Sequence, residues 1–254
     1  MRILVAGGAG YIGSRLVPRL VKDGHDVTVV DLLWFGNNLP PEVLVRKKNI
    51  FDIGDKELAG MDTVVFMAGL SNDPMAEYLP SLNFIFNAAA PAHLAYIARK
   101  AGVKRMIYAS SCSVYGHTDG IVTETSVAKS DFPYGVSKLQ GELSVDHFKD
   151  DNFSVICLRQ GTVSGCSPRM RFDLLLNTMY ASAVSAGKIT VNNPEIWRPV
   201  LAMDDALNAY SAAITADENI SGAFNVCSEN LKLGEAAQKA AEHLKKTRGK
   251  EIAI

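Results

Sequence analysis

The chain has 254 residues, 48% hydrophobic and 21% charged, an ordinary globular composition that can bury a sizeable core in one large domain or two small ones. Its 26 Lys and Arg nearly balance 27 Asp and Glu, so a net charge of −1 gives no general attraction to nucleic acid or to an anionic membrane, and any anion site must be local. No apolar run approaches the roughly 20 residues of a bilayer span, and no basic segment with a cleavage site precedes the first strand pattern, so the expectation is a cytoplasmic protein.

Cys112, Cys157, Cys166 and Cys227 lie far apart without a Cys-x-x-Cys pair, which predicts buried, reduced thiols and neither a metal site nor a disulfide framework.

In chain order, short runs rich in Val and Ile predict strands over 3–6, 27–30, 63–67, 105–109 and 155–158. Helical patterns over 12–22, 87–100 and 134–148 alternate with them, the second ending at Gly102, a residue suited to a left-handed cap. This alternation predicts an α/β fold with a doubly wound parallel sheet, the Rossmann fold. After about Gly161 the pattern changes: Pro168, a basic cluster at Arg169 and Arg171, a helix over 172–186, a short strand over 189–191, and helices over 203–216 and 233–246. Residues 1–165 are therefore expected to form a dinucleotide-binding domain. Residues 166–254 would form a smaller substrate lobe, free to interleave with it, over the carboxyl ends of the strands.

The first strand runs into Gly7-Gly-Ala-Gly-Tyr-Ile-Gly13, which fits Gly-x-x-Gly-x-x-Gly and Gly-x-Gly-x-x-Gly at once. A glycine motif alone is weak, but here the expected strand precedes it and the expected helix follows. Missing side chains would let the backbone of Gly7, Gly10, Tyr11, Ile12 and Gly13 approach a pyrophosphate, whose charge the free N–H groups and the helix dipole stabilise. The next strand ends in Asp31, where a carboxylate can accept from adenosine ribose hydroxyls and would repel the extra phosphate of NADP, favouring NAD. A tight structural turn with Asp31 merely capping a loop is the bland alternative.

In Pro133-Tyr-Gly-Val-Ser-Lys138, Tyr134 and Lys138 share a helix face, so the ammonium can lie close to the phenol. That charge, with an oxidised nicotinamide as a second cation, favours phenolate and would make Tyr134 a base near neutrality, while Lys138 can also donate to cofactor ribose hydroxyls. Ser111, within Ser110-Ser-Cys-Ser-Val-Tyr-Gly116, can supply a hydroxyl that holds the reacting oxygen. A half-buried ring beside a solvated charge is the alternative for an isolated Tyr-x-x-x-Lys.

These motifs, with Phe66-Met-Ala-Gly-Leu70, Asn87, Gly102-Val-Lys-Arg105 and Trp197-Arg-Pro199, resemble the extended short-chain dehydrogenase/reductases, specifically the NAD-dependent epimerase/dehydratase family acting on nucleotide sugars. The resemblance runs from Met1 to about Asn225. It implies that Ser111, Tyr134 and Lys138 carry catalysis, that Ala68 and Asn87 line the NAD site, and that Asn49 and Ile50 match an Asp-Ile pair beside the adenine, with an amide in place of the acid. Asn177 and Arg198 resemble positions that hold a substrate diphosphate, a task that suits the planar, always ionised fork of an arginine; a surface salt bridge is the other reading of Arg198. Arg169 and Arg171 either reach the nucleotide or are solvated charges. Two helices, 87–100 and 134–148, resemble a pair that forms a four-helix dimer interface, which implies a homodimer, although their apolar faces could equally pack internally.

Departures from the family narrow the chemistry. Dehydratases of the family carry an Asp-Glu pair where Cys112 and Ser113 stand here, and neither replaces a carboxyl group as acid or base. Thr162 stands where many 4-epimerases place an asparagine near the substrate. The family usually continues well beyond a strand that 251–254 would begin, which leaves open a shortened member, a fragment, or a scaffold that binds cofactor without turnover. The expectation is a nucleotide-sugar epimerase: Tyr134 takes a proton from a sugar hydroxyl while hydride passes to NAD, and the transient 4-keto sugar turns and takes the hydride back on its other face. A nucleotide-linked keto-sugar reductase or dehydrogenase and a non-catalytic NAD-binding module are the rival expectations.

Overall fold

The computed structural model describes residues 1–118 and 120–254. In chain order the elements are β1 (Arg2–Ala6), α1 (Gly13–Lys22), β2 (Asp26–Asp31), β3 (Leu44–Lys47), α2 (Asp55–Leu58), β4 (Thr63–Phe66), α3 (Asp73–Tyr78), α4 (Pro80–Phe84), α5 (Ala90–Lys100), β5 (Arg105–Ser111), α6 (Pro133–Asp146), β6 (Ser154–Gln160), β7 (Thr162–Ser164), α7 (Leu175–Ala186), β8 (Trp197–Ala202), α8 (Met203–Thr215), β9 (Gly222–Val226), β10 (Glu229–Lys232) and α9 (Leu233–Arg248).

The apolar strands build a seven-stranded sheet in the order β3-β2-β1-β4-β5-β6-β9, every pairing parallel. Successive side chains in a strand point to opposite faces, so a strand covered on both sides must be apolar throughout. In β1, Ile3 and Val5 meet Leu16, Val17 and Leu20 of α1 and Leu207 and Tyr210 of α8 on one face. Leu4 and Ala6 join Leu94, Ala95 and Ala98 of α5 and Val145 of α6 on the other. A three-stranded sheet, β10-β8-β7, packs with α7 and α9 around its own core of Met179, Val200, Leu231, Ala237 and Leu244. No helix among the described residues is long and apolar enough to cross a membrane.

Several expectations meet a different chain path. The lobes interleave in both directions, for β7 precedes residue 166 but belongs to the small sheet, while β9 follows it and completes the large one against β6. Residues 189–191 form no strand: the segment meets the chain's end in a single parallel bridge, Lys188 to Ala253, with the Ile189 amide donating to Ala253 O at 2.8 Å. Two matched strands are needed for a ladder, and Ala253, which also donates to Gly187 O at 3.1 Å, is the single point of pairing. The helix expected to start at residue 87 is part of a longer helical run, in which a π turn (Ile85–Ala89) joins α4 to α5. Asn87 lies in that turn, fully buried.

The winding places the candidate site. The chain proceeds outward from β1 to β2 and β3, then returns to lay β4 on the other side of β1, leaving a crevice at the carboxyl ends where the loops part. Gly7, Asp31, Met67 and Ser111 all stand at or just beyond those strand ends. Away from the crevice, buried Arg105 ties α8 to β5. Its guanidinium donates to the carbonyls of Ala213 (3.1 Å), Ala216 (2.6 Å) and Asp217 (2.5 Å), groups at a helix end with no partner inside the helix. Arg105→Lys keeps the charge but loses the fork. We expect it to lower the unfolding free energy by about 2 kcal/mol, read as a lower urea midpoint with unchanged slope.

Candidate active site

The glycine turn after β1 is shaped for close approach. Gly7 has φ +84°, a conformation that side chains disfavour, and a Cβ there would lie 2.5 Å from the backbone N of Ala68. At the entry to α1 the amides of Ser14, Arg15 and Leu16 donate to Gly10 O and Ile12 O, while those of Tyr11, Ile12 and Gly13 form no backbone hydrogen bond among the described residues; with the positive end of the helix dipole they offer a site for a phosphate pair. Asp31 is braced from both sides: one carboxylate oxygen accepts from the Ala9 amide at 3.0 Å, the other from the Leu33 amide at 2.8 Å. Together Gly7, Gly10, Asp31, Ile50, Ala68, Gly69 and Phe86 line a groove of about 740 Å³, with Trp34 and Phe35 at its mouth.

Not every expected residue meets this groove with its side chain. Ile12 packs against the core, and the Tyr11 ring turns away, its hydroxyl donating to Gly165 O at 2.7 Å, so both bring only backbone to the turn. The Asn49 carbonyl accepts from the Phe51 amide at 3.1 Å and caps the short 3₁₀ turn that carries Ile50. Asn87 donates to Leu70 O and to Asn83 Oδ1, both at 2.8 Å, while its own Oδ1 is buried without a partner. That oxygen faces Gly69 (φ +147°), where any Cβ would collide with it and would stand 3.8 Å from Lys138 Nζ. An unpartnered buried acceptor beside an ammonium and a side-chain-free wall fits a ribose or carboxamide donor, and the residues present therefore suit a dinucleotide.

Ser111, Tyr134 and Lys138 come together where β5 and α6 meet. Ser111 ends β5 and caps the 3₁₀ turn Cys112–Tyr115, its Oγ accepting from the Ser113 amide at 3.1 Å. Pro133 takes the first position of α6, where its missing N–H is no loss, and Tyr134 follows it. One turn on, Lys138 Nζ donates to Ala109 O at 2.9 Å and lies 5.9 Å from the centre of the Tyr134 ring. Burial is the dominant influence on both groups: it pushes the Tyr134 phenol up to about 12, against the pull of the Ser111 hydroxyl and Arg171, and it brings the Lys138 ammonium down to about 8. The sequence-based expectation of an acidified phenol thus requires a further cation beyond Lys138.

On the small-lobe side, Thr162 opens β7 opposite Val200. Arg198, exposed on β8, donates only to the carbonyl of Trp197, at 3.4 Å, and no ion pair to it is formed among the described residues. Asn177 is buried and fully engaged, donating to Tyr11 OH (3.0 Å) and Arg171 O (2.9 Å) and accepting from the Gly165 amide (3.2 Å). Arg171 pairs with Asp173 at 2.5 Å and reaches Ser71 at 2.6 Å, bridging the loop after β4 to the small lobe. Arg169 stacks its guanidinium 3.7 Å from the centre of the Phe35 ring, across the mouth of the groove. Two features escaped the sequence reading. Asp73 keeps a buried, unpartnered Oδ1, with its carboxyl raised by burial, and Glu142 forms a buried pair with Arg159 at 2.8 Å behind Lys138. Glu142 was readable, one further helical turn along the face of Tyr134 and Lys138; Asp73 carried no periodic signal.

Known proteins share this arrangement. The sequence profile of the NAD dependent epimerase/dehydratase family matches residues 3–227. A UDP-glucose 4-epimerase of Bacillus subtilis is 30% identical over 219 residues, 74% of this chain and 62% of that enzyme, so the chain spans less than two thirds of that relative's length. UDP-arabinose 4-epimerase 1 of Arabidopsis thaliana is 32% identical over 187 residues, 66% of this chain and 44% of the relative. Among solved structures, MoeE5 in complex with UDP-glucuronic acid and NAD superposes with a TM-score of 0.87 at 25% identity, covering 100% of this chain and 85% of MoeE5. A UDP-glucose 4-epimerase from Thermotoga maritima, at 23% identity and a TM-score of 0.86, shares the fold over 100% of this chain and 85% of that one. With a glycine turn, a braced Asp31 and a Ser-Tyr-Lys group on one seven-stranded sheet, and a family profile that covers most of its length, the chain belongs to the NAD-dependent epimerase/dehydratase family.

Proposed function

We propose that the protein is a nucleotide-sugar epimerase that acts through a transient 4-keto sugar. The observation that carries this reading is the meeting of Ser111, Tyr134 and Lys138 at the end of the dinucleotide groove, with Lys138 Nζ 5.9 Å from the Tyr134 ring centre. The Gly7–Gly13 turn, Asp31, Ile50, Ala68 and Asn87 would hold NAD, which would supply a reversible hydride acceptor beside Tyr134. Tyr134 takes the proton from the sugar hydroxyl as the carbonyl forms and gives it back when the carbonyl is reduced. Ser111 holds that oxygen against the phenol. Lys138 and the positive charge of the oxidised cofactor both favour phenolate, opposing the burial that keeps the free phenol near 12.

The nucleotide diphosphate is assigned to the small-lobe side, where the planar fork of Arg198 forms no ion pair among the described residues. Asn177, whose amide is fully used inside the protein, is assigned the part of shaping that side through Tyr11, Gly165 and Arg171 rather than touching phosphate. Cys112 and Ser113 offer no carboxyl group for removing water, and burial pushes the Cys112 thiol up to about 11, which disfavours a dehydratase. Against a reductase stands the Arg169–Phe35 stack, which links the lobes over the groove and suits a cofactor that stays bound between turnovers.

Incubating the protein and NAD with UDP-, GDP-, CDP- and dTDP-sugars should give, by mass-resolved chromatography, one new peak of unchanged mass. Tyr134→Phe should lower that rate about 10²- to 10⁴-fold. Loss of water from the product, or stoichiometric NADH consumption, would replace the epimerase with a dehydratase or a reductase.

With NAD bound, its positive charge bringing the Tyr134 phenol from about 12 to below the Lys138 midpoint, the rate should rise with pH as Tyr134 loses its proton, then fall as Lys138, about 8 in the free protein, loses its charge. Lys138→Met should remove the falling limb and move the rising limb at least about one unit upward, since a neighbouring cation that lowered the phenol is gone. Arg169→Ala should speed NAD release about two- to fivefold in a chase experiment, the equivalent of a stacking contact of about 0.5–1 kcal/mol, without altering the product.

A further inference from the structure

A buried chain of polar groups lies directly behind the Ser-Tyr-Lys group. Glu142, on α6 one turn beyond Lys138, accepts from Ser110 Oγ at 2.5 Å, and Ser110 adjoins Ser111. The same carboxylate takes a forked contact from Arg159 of β6, at 3.0 Å from Nε and 2.8 Å from Nη2. Arg159 in turn donates to Tyr115 OH at 2.8 Å, and Tyr115, which ends the turn begun at Cys112, donates to Asn225 Oδ1 of β9 at 2.7 Å. Glu142 and Arg159 side chains are only 6% and 9% exposed. A pair this deep gains little net stability over apolar packing, because both charges are stripped of water. Mere bracing of helix against sheet would be served as well by hydrocarbon.

We propose that Glu142 is a positioning residue that acts through Lys138: fixed by Arg159 and Ser110 one helical turn away, its carboxylate keeps the buried Lys138 ammonium charged and aimed at Ala109 O and Tyr134. The inference rests on the reading of Tyr134 and Lys138 as the reacting pair. Around Lys138 the ionisable groups are Tyr134 and Glu142 on its own helix and Tyr108 from β5, whose ring centre is 5.0 Å from Nζ; Arg159 of β6 pairs with the Glu142 carboxylate, and Cys157 of the same strand lies near that pair. The Tyr108 phenol and Cys157 thiol are driven far up by burial and stay neutral, so Glu142 and Arg159 set the local charge with opposite signs. Burial lowers Lys138 and Glu142 alone raises it, as the direction of the inference requires.

The test is a pH titration of Lys138 by NMR in protein carrying isotope-labelled lysine, its signal assigned by its loss in Lys138→Arg, with no sugar nucleotide present. Glu142→Gln leaves Arg159 unopposed and should lower the Lys138 midpoint by about one pH unit or more. Arg159→Met frees the carboxylate and should raise it. Opposite shifts establish the proposal, and either variant suffices for a signed result if the other does not fold. Midpoints that stay put, or that move the same way in both variants while the melting temperature falls, reduce Glu142 to a structural brace and overturn it. Because the titration needs no turnover, opposite shifts in a protein that converts no sugar would fault the epimerase reading and leave the coupling intact.

Discussion

Holding an ammonium group out of water beside a phenol is the constraint on which the site depends. Lys138 is 4% exposed, and a bare charge at such a depth would drop its proton. Three features of the fold oppose that. Ala109 O, turned toward α6 at the end of β5, accepts from Nζ at 2.9 Å; the Tyr108 and Tyr134 rings present their faces at 5.0 and 5.9 Å; and Glu142 lies one turn behind. Each of these partners is fixed by an element already required by the core, since Tyr108 belongs to the buried layer that carries α5 and α6. The geometry of the Ser111, Tyr134 and Lys138 group is therefore a by-product of how tightly one helix lies on one strand.

A second coupling joins the nucleotide turn to the small lobe. Tyr11 OH meets Gly165 O and Asn177 Nδ2, Ser167 Oγ donates to Tyr11 O at 2.7 Å, and Ser14 and Ser167 share a hydrogen bond of 2.8 Å. These bonds lie on the side of the turn away from the groove. They leave the Tyr11, Ile12 and Gly13 amides without a backbone partner among the described residues while fixing the lobe whose Arg171 also reaches Ser71 on the far side of the crevice. With β7 in the small sheet and β9 in the large one, the chain crosses between the lobes at β6–β7, β8–β9 and β9–β10.

Much of this was legible in the residues. Strands buried on both faces are continuous apolar runs, so β1, β2, β4, β5 and β6 announced themselves, and the glycine turn and the Tyr134–Lys138 spacing fall on local geometry that the backbone alone dictates. The strands of the small sheet carried no such signal: β7 has three residues, and β8 and β10 are largely exposed on one side. Asn177 took its expected ligand role from the family resemblance, which does not reveal that its amide is tied at 3.0 Å to Tyr11, a partner 166 residues away in sequence. For the phenol, the helical proximity of Lys138 was visible in the spacing and the burial that opposes it was not.

The division of labour between the lobes bears on the choice between epimerisation and one-way reduction. Returning a hydride to the opposite face of one carbon requires that the sugar turn while Tyr134 and the groove stay fixed, so its anchor must lie away from the reacting atom and must not grip the ring. The large sheet supplies the fixed part, with Lys138 buried on α6 and the Tyr134 ring beside it. The small sheet offers Arg198 on β8, an exposed guanidinium without an ion-pair partner among the described residues, suited to a diphosphate and indifferent to the sugar beyond it. An anchor that holds phosphate and a base that is shared by both half-reactions are what a turning intermediate needs. A reductase needs neither retained cofactor nor a rotating substrate, and the Arg169–Phe35 stack across the groove would only slow its cofactor exchange.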